Sequence, residues 1–207
     1  MLLNDNHILL LNGPSSSGKS TLAKEIQRRA SNLYMHVMWD AFLGMLPQEG
    51  ENFPQQVRQE VVPLIRNCMH AAIISMYRQG ANVIWDNAMH PSRWQSVVDD
   101  FADSRIILIG VYCDVDELER RELARGNRAI GMARSQAEEM HEGINYDFHI
   151  DTTNASVTEC AEIILEQLPR IAANSAIVTM KEKAVSVFNS SLDTDFAPVS
   201  SALGSRK

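Results

Sequence analysis

A chain of 207 residues, 45% of them apolar, has enough hydrophobic material to pack one domain with at most a short appendage. Its net charge of -7 and pI near 5.3 exclude a general binder of nucleic acids or membrane surfaces, which needs a broad basic face. Cys68, Cys113 and Cys160 are odd in number and lack CxxC spacing, so they read as reduced, buried thiols, not as a disulfide framework or zinc site.

The opening MLLNDNHILLL has no basic n-region, and Asn and Asp interrupt its apolar residues. It is a poor signal peptide and too short to span a bilayer, so a cytoplasmic protein is expected. HILLLN (residues 7–12) is a short apolar run ending at glycine, the pattern of a strand buried on both faces. Residues 20–30 predict a helix, with Leu22, Ile26 and Ala30 at helical spacing. YMHVMWD (34–40) predicts the next strand, and residues 52–77 a long helix through Val57, Val61, Ile65, Met69 and Ile73, bent at Pro63. ANVIWD (81–86) and RIILIGVYC (105–113) are further strands, separated by a helix that starts near Pro91 and Ser92. Helices over 116–125 and 132–142, a last strand YDFHID (146–151) and a closing helix over 156–168 complete the pattern. Strand alternating with helix predicts an α/β fold with a parallel sheet and helices on both faces.

Beyond Asn174, Ile177, Met180, Ala184 and Phe188 recur at helical spacing, whereas residues 189–207 are Ser-rich and aperiodic. The expected division is a catalytic domain over 1–172 and an extension over 173–207, part helical and then disordered.

Between the first strand and first helix, Gly13-Pro14-Ser15-Ser16-Ser17-Gly18-Lys19-Ser20 satisfies G-x-x-x-x-G-K-[ST] at every fixed position. Glycines let the backbone curl so that successive N–H groups face anionic oxygens, and the following helix adds its positive end. Lys19 can bridge the outer phosphates of ATP, the Ser20 hydroxyl can ligate Mg²⁺, and Thr21 follows within the same first turn.

Two predicted strands finish in Trp-Asp, at Asp40 and Asp86. In a parallel sheet both carboxylates reach the crevice beside the phosphate loop. One can serve the Mg²⁺ shell and the other can take a proton from an attacking hydroxyl; spacing alone does not say which. Arg120, Arg121, Arg125 and Arg128 cluster in ERRELARGNRAIG, with Arg121 and Arg125 on one helix face and glycines at either end of the loop. Guanidinium forks match the equatorial oxygens of a transferring phosphoryl group, so Arg125 and Arg128 read as a lid, Arg121 as a nucleotide contact and Arg120 as a surface ion-pair residue.

GPSSSGKST, MWDAFLGMLP and above all ARGNRAIGMARSQAEEMHEGINYDFHIDTT resemble the chloramphenicol phosphotransferase-like family of P-loop kinases, over about residues 4–168. The resemblance implies a three-layer kinase-like fold with a five-stranded parallel sheet flanked by helices and an arginine-bearing lid. It implies ATP- and Mg²⁺-dependent transfer of the γ-phosphoryl group to a hydroxyl of a small molecule, antibiotics included. By the same resemblance Asp40 is the general base, Asp86 the Walker-B-like residue near Mg²⁺, and the loop at Thr153 lies near the adenine. His141, Tyr146 and Asp147 match the family run without an evident chemical role. Lys and Arg are sparse between Asp40 and Gly80 (Arg58, Arg66 and Arg78), which points to an uncharged acceptor. Two other readings remain open: a metabolic kinase for a nucleoside, nucleotide or sugar-like acceptor, and a nucleotide-binding switch without transfer activity.

Overall fold

The computed structural model describes residues 6–47, 54–125 and 131–175. Five strands form one parallel sheet in the order β2-β3-β1-β4-β5: β1 (Ile8–Asn12), β2 (Tyr34–Met38), β3 (Asn82–Asn87), β4 (Ile106–Tyr112) and β5 (Phe148–Asp151). The helices are α1 (Lys19–Arg29), α2 (Trp39–Leu43), α3 (Gln55–Arg78), α4 (Trp94–Asp100), α5 (Val115–Arg125), α6 (Met132–Glu139) and α7 (Val157–Ser175).

Strand β1 lies at the centre because every one of its side chains is apolar or paired, leaving no face for water. Its alternation divides the core. Leu9 and Leu11 pack with Leu22, Ile26, Ile164 and Leu168 from α1 and α7, whereas Ile8 and Leu10 pack with Met69 and Ile73 from α3, Val97 from α4 and Phe101 just after it. Each fully buried Leu or Ile in that strand contributes about 1.5–3 kcal/mol.

The register fixes the site. Leu11 lies beside Asp86 and Asn12 beside Asn87, while Met38 flanks Asp86 from the other side. After β1 the chain crosses over β3 to reach β2, whereas after β3 it crosses β1 to reach β4. The carboxyl end of β1 is therefore the point where connections diverge, and the phosphate loop opens there.

Several features differ from expectation. Strand β2 stops at Met38, and Trp39 and Asp40 instead open α2, where a carboxylate in the first turn suits the helix dipole. Strand β5 begins at Phe148, because Tyr146 turns aside to cover Gly110 while Asp147 alone keeps contact with Leu108. The closing helix runs past Leu168 and through Pro169 to Ser175. Cys68 is exposed on α3, not buried, although all three cysteines are free. The helix expected near 177–188 and the Ser-rich end lie outside the described residues. No helix among the described residues is long and apolar enough to cross a membrane.

Candidate active site

Residues 13–20 join the buried end of β1 to the amino end of α1. Gly13 presses against β4: a Cβ there would stand 2.2 Å from the Val111 carbonyl oxygen, so no side chain fits. Ser16 (φ 64°) and Gly18 (φ 89°) take left-handed conformations, which turn the chain back on itself and aim its N–H groups inward. Lys19 is buried and its Nζ donates to the Pro14 carbonyl at 2.7 Å, with Ser17 Oγ at 3.4 Å. The ammonium thus stands on the rim of its own loop.

A cavity of about 570 Å³ opens in front of this loop, a volume typical of small-ligand sites. Ser15, Ser16, Gly18, Lys19, Ser20 and Thr21 line one end. Asp40, Asp86, Asn87 and Arg93 line another part, and Arg121, Gln136 and Thr152 a third. Gly13, Pro14 and Ser17 shape the loop from behind without lining the cavity.

Asp86 is buried at the end of β3. Burial pushes its carboxyl group up, but the adjacent His36 ring, the charge of Lys19 and hydrogen bonding from Ser20 outweigh it and hold the group below its ordinary value. His36 Nε2 stands 3.5 Å from Asp86 Oδ2, closer to an ion-pair contact than to a formed hydrogen bond, as its lack of a geometric partner indicates. A buried anionic oxygen beside a serine hydroxyl is a hard-oxygen donor set. It fits Mg²⁺, which binds through one or two protein oxygens and completes its shell with phosphates and water. No cluster of three or more His, Cys, Asp or Glu that could hold a metal occurs among the described residues. Asp40 is exposed at the head of α2 and borders the same cavity.

Arg121 is held more firmly than a mobile lid residue. Its Nε donates to Glu117 Oε1 at 2.7 Å, Nη2 to the Thr152 carbonyl at 2.6 Å and Nη1 to Thr152 Oγ1 at 3.2 Å. Glu117 responds: bonding from Arg120 and Arg121 pulls its carboxyl group down to about 2. Thr152 Oγ1 in turn donates to the Ser17 carbonyl at 2.8 Å, so α5 is tied through β5 to the phosphate loop. Arg120 pairs with Glu117 at the surface, as the sequence suggests. Arg125 is the last residue of α5, and Arg128 lies outside the described residues.

Helix α6 leans on the same framework. The buried Glu122 carboxylate accepts from the N–H groups of Gly131 (2.8 Å) and Ala133 (3.0 Å), capping the start of α6. From α6, Gln136 Oε1 accepts from the Ser15 N–H at 2.7 Å.

Sequence reasoning names Thr153, yet its hydroxyl bonds Asp151 and Asp114 outside the cavity, and it is Thr152 that lines the wall. It also passes over His36 and Arg93, and gives Gln136, which falls in the family-like run, no role. A histidine two residues before Met38 on β2 carries a recognisable signal, because alternate residues share a face with the Asp86 register; Arg93 and Gln136 follow turns and carry none.

His141 and Tyr146 form a buttress behind the loop. Asn12 Nδ2 donates to Tyr146 Oη at 2.8 Å, His141 Nδ1 meets the same oxygen at 2.9 Å, and the His141 ring stacks on Tyr112 at 3.9 Å. Burial, then the charges of Lys19 and His149, bring His141 down to about 4, which keeps it neutral near pH 7. Asp147 accepts from the Leu108 N–H at 2.8 Å and has a structural role.

The family model of chloramphenicol phosphotransferase-like proteins matches residues 6–169. The chain belongs to that family. As a family member it is a kinase-class enzyme, and a Mycobacterium tuberculosis relative named "Putative O-phosphotransferase" is 33% identical over 187 residues, covering 78% of this chain and 82% of the relative. Among solved structures, the Mycobacterium tuberculosis APS kinase bound to AMPPNP and APS superposes with a TM-score of 0.58 at 15% identity, covering 79% of this chain and 98% of that one. A gluconokinase from Sinorhizobium meliloti gives a TM-score of 0.58 at 17% identity, over 84% and 97% of the two chains. The family's fold is thus that of the P-loop kinases.

Proposed function

We propose that the protein is an ATP- and Mg²⁺-dependent O-phosphotransferase that moves the γ-phosphoryl group to a hydroxyl of a small molecule. The observation that carries this reading is the single cavity onto which the phosphate loop, Asp86 and Asp40 all open. The loop N–H groups, Lys19 and Ser20 bind the ATP phosphates; Ser20 and Asp86 hold Mg²⁺, which when bound offsets charge on the β- and γ-phosphates.

Asp40 accepts the proton of the acceptor hydroxyl as its oxygen bonds to the γ-phosphorus. The bond from that phosphorus to the β,γ-bridging oxygen breaks, and its electron pair leaves with ADP. Arg121 steadies the cradle through Thr152, and Arg125 and Arg128 close over the transferring group and exclude water. Chloramphenicol is a candidate acceptor by family likeness, and sugar-like and nucleoside acceptors by likeness of fold.

The test is transfer from γ-labelled ATP to a panel of hydroxylated compounds, wild type beside Asp40→Asn. Label on an organic acceptor, with turnover falling at least about 100-fold in the variant and AMP-PNP affinity kept within threefold, supports the reading. Label released only as inorganic phosphate favours a nucleotide switch. Equal loss of binding and turnover removes Asp40 as base.

A further inference from the structure

A niche of about 20 Å³ opens beside the main cavity, and Trp39, Asn87 and Arg93 line both. Its far wall is Arg66 and His70 on α3. In a chain with 26 acidic and 19 basic residues, this niche has two arginines and a histidine in its walls and no carboxylate.

One buried nitrogen of the pair lacks a partner. Arg66 Nε is buried and meets no hydrogen-bond acceptor among the described residues, a costly state for that N–H. Arg93 is exposed and lines the main cavity as well as the niche. His70 already bonds Asp100 through Nδ1 at 2.5 Å, so that acid serves the histidine. Asp40, on the shared wall next to Trp39, lies on the cavity side.

The geometry points to an acceptor that carries an oxyanion, a carboxylate or a phosphate or sulfate ester, seated between Arg66 and Arg93 while its hydroxyl faces Asp40. This rests on the phosphotransferase reading and narrows it. The niche admits one or two oxygen atoms, not a whole molecule, which suits the tip of an anionic group whose body stays in the main cavity. It is not a second nucleotide-phosphate site, because Arg66 does not line the cavity end occupied by the phosphate loop. Lys and Arg are sparse between Asp40 and Gly80, and Arg93, from beyond β3, joins Arg66 at the niche.

Two measurements test this. Transfer from labelled ATP is compared within matched pairs, gluconate against glucitol and glycerate against glycerol. The anionic members are expected to show at least about tenfold higher kcat/KM; Arg93→Ala, on an exposed residue, should raise their KM about 10–100-fold and leave the KM for ATP within twofold. Equal or better transfer to the neutral members overturns the proposal and leaves the phosphotransferase reading intact.

Separately, sulfate is titrated at constant ionic strength into protein saturated with Mg²⁺ and AMP-PNP, which occupy the phosphate loop. At tenfold excess over its Kd, sulfate should raise Tm by about 3–6 °C, and both Arg93→Ala and Arg66→Lys should lose most of that rise. No sulfate response in the wild type, or the same response in both variants, overturns the proposal. An intact sulfate response with no transfer to any acceptor would instead overturn the phosphotransferase reading.

Discussion

Replacing Gly13 with alanine tests the close approach of the phosphate loop to β4. The new Cβ would stand 2.2 Å from the Val111 carbonyl oxygen, and contacts under 3.0 Å are essentially never seen. Something must move by about 0.8 Å at least, and the obstacle is backbone of a buried strand, not the end of a flexible side chain. Relief comes from lifting the loop, at about 3 kcal/mol by analogy with overpacked cores. In a domain of this size that lowers Tm by about 6–12 °C. A matched control separates crowding from backbone strain. Gly80 has φ near +88° and open space around its Cβ position, so Gly80→Ala carries only the left-handed penalty of about 1–2 kcal/mol, or about 2–8 °C. Thermal melts of both variants, with AMP-PNP titrations, give the answer. Gly13→Ala should melt lower than Gly80→Ala and lose nucleotide affinity, while Gly80→Ala keeps it. A Gly13→Ala protein that melts within 2 °C of wild type and binds AMP-PNP normally refutes the packing described for the loop.

Lys19→Ala should weaken AMP-PNP binding about 10–100-fold by titration calorimetry, and it removes a positive charge that favours the buried Asp86 carboxylate, so Tm should also fall. Arg121→Ala removes the donors to Glu117 and Thr152; a loss of about 1–2 kcal/mol in urea unfolding and weaker nucleotide binding are expected, with Arg121→Lys recovering only part. His141 sets an acid limb on stability. Its folded value near 4 lies below the ordinary 6.5, so between those values the unfolded chain binds a proton that the fold refuses. The stabilisation is whole above pH 6.5 and is lost as pH falls toward 4, by about 1–2 kcal/mol after allowance for the solvent reaching the ring. Urea unfolding at pH 7 and 4.5 should show that loss in the wild type and a smaller one in His141→Gln; identical slopes would refute it.

The sheet and cradle were legible because their causes are local. An apolar run followed by a glycine-flanked lysine specifies strand, loop and helix within fourteen residues of sequence, and HILLLN, NVIWD and RIILIGVY all became strands at nearly the expected bounds. Asp40 was less legible: Trp39 packs on the core while the chain is already turning, so the strand ends two residues early. Thr152 and Thr153 are both plausible nucleotide contacts by type, and only the pairing of β5 with β4 decides which of them faces Ser17. Arg93 and Gln136 were illegible for a different reason. Each reaches the cavity from a turn or short helix whose direction depends on tertiary contacts, Gln136 through Glu122 and Arg93 through the start of α4.

The bond from the Ser15 amide to Gln136 sets two tenants against each other. A phosphate oxygen arriving at that amide needs the same hydrogen, so the glutamine must vacate the seat before the anion can take it. A charged oxygen is the stronger claimant, so on the proposed ATP-dependent reading it displaces the neutral amide oxygen. On the proposed reading, nucleotide binding therefore frees Gln136, a side chain of α6 that lines the same cavity.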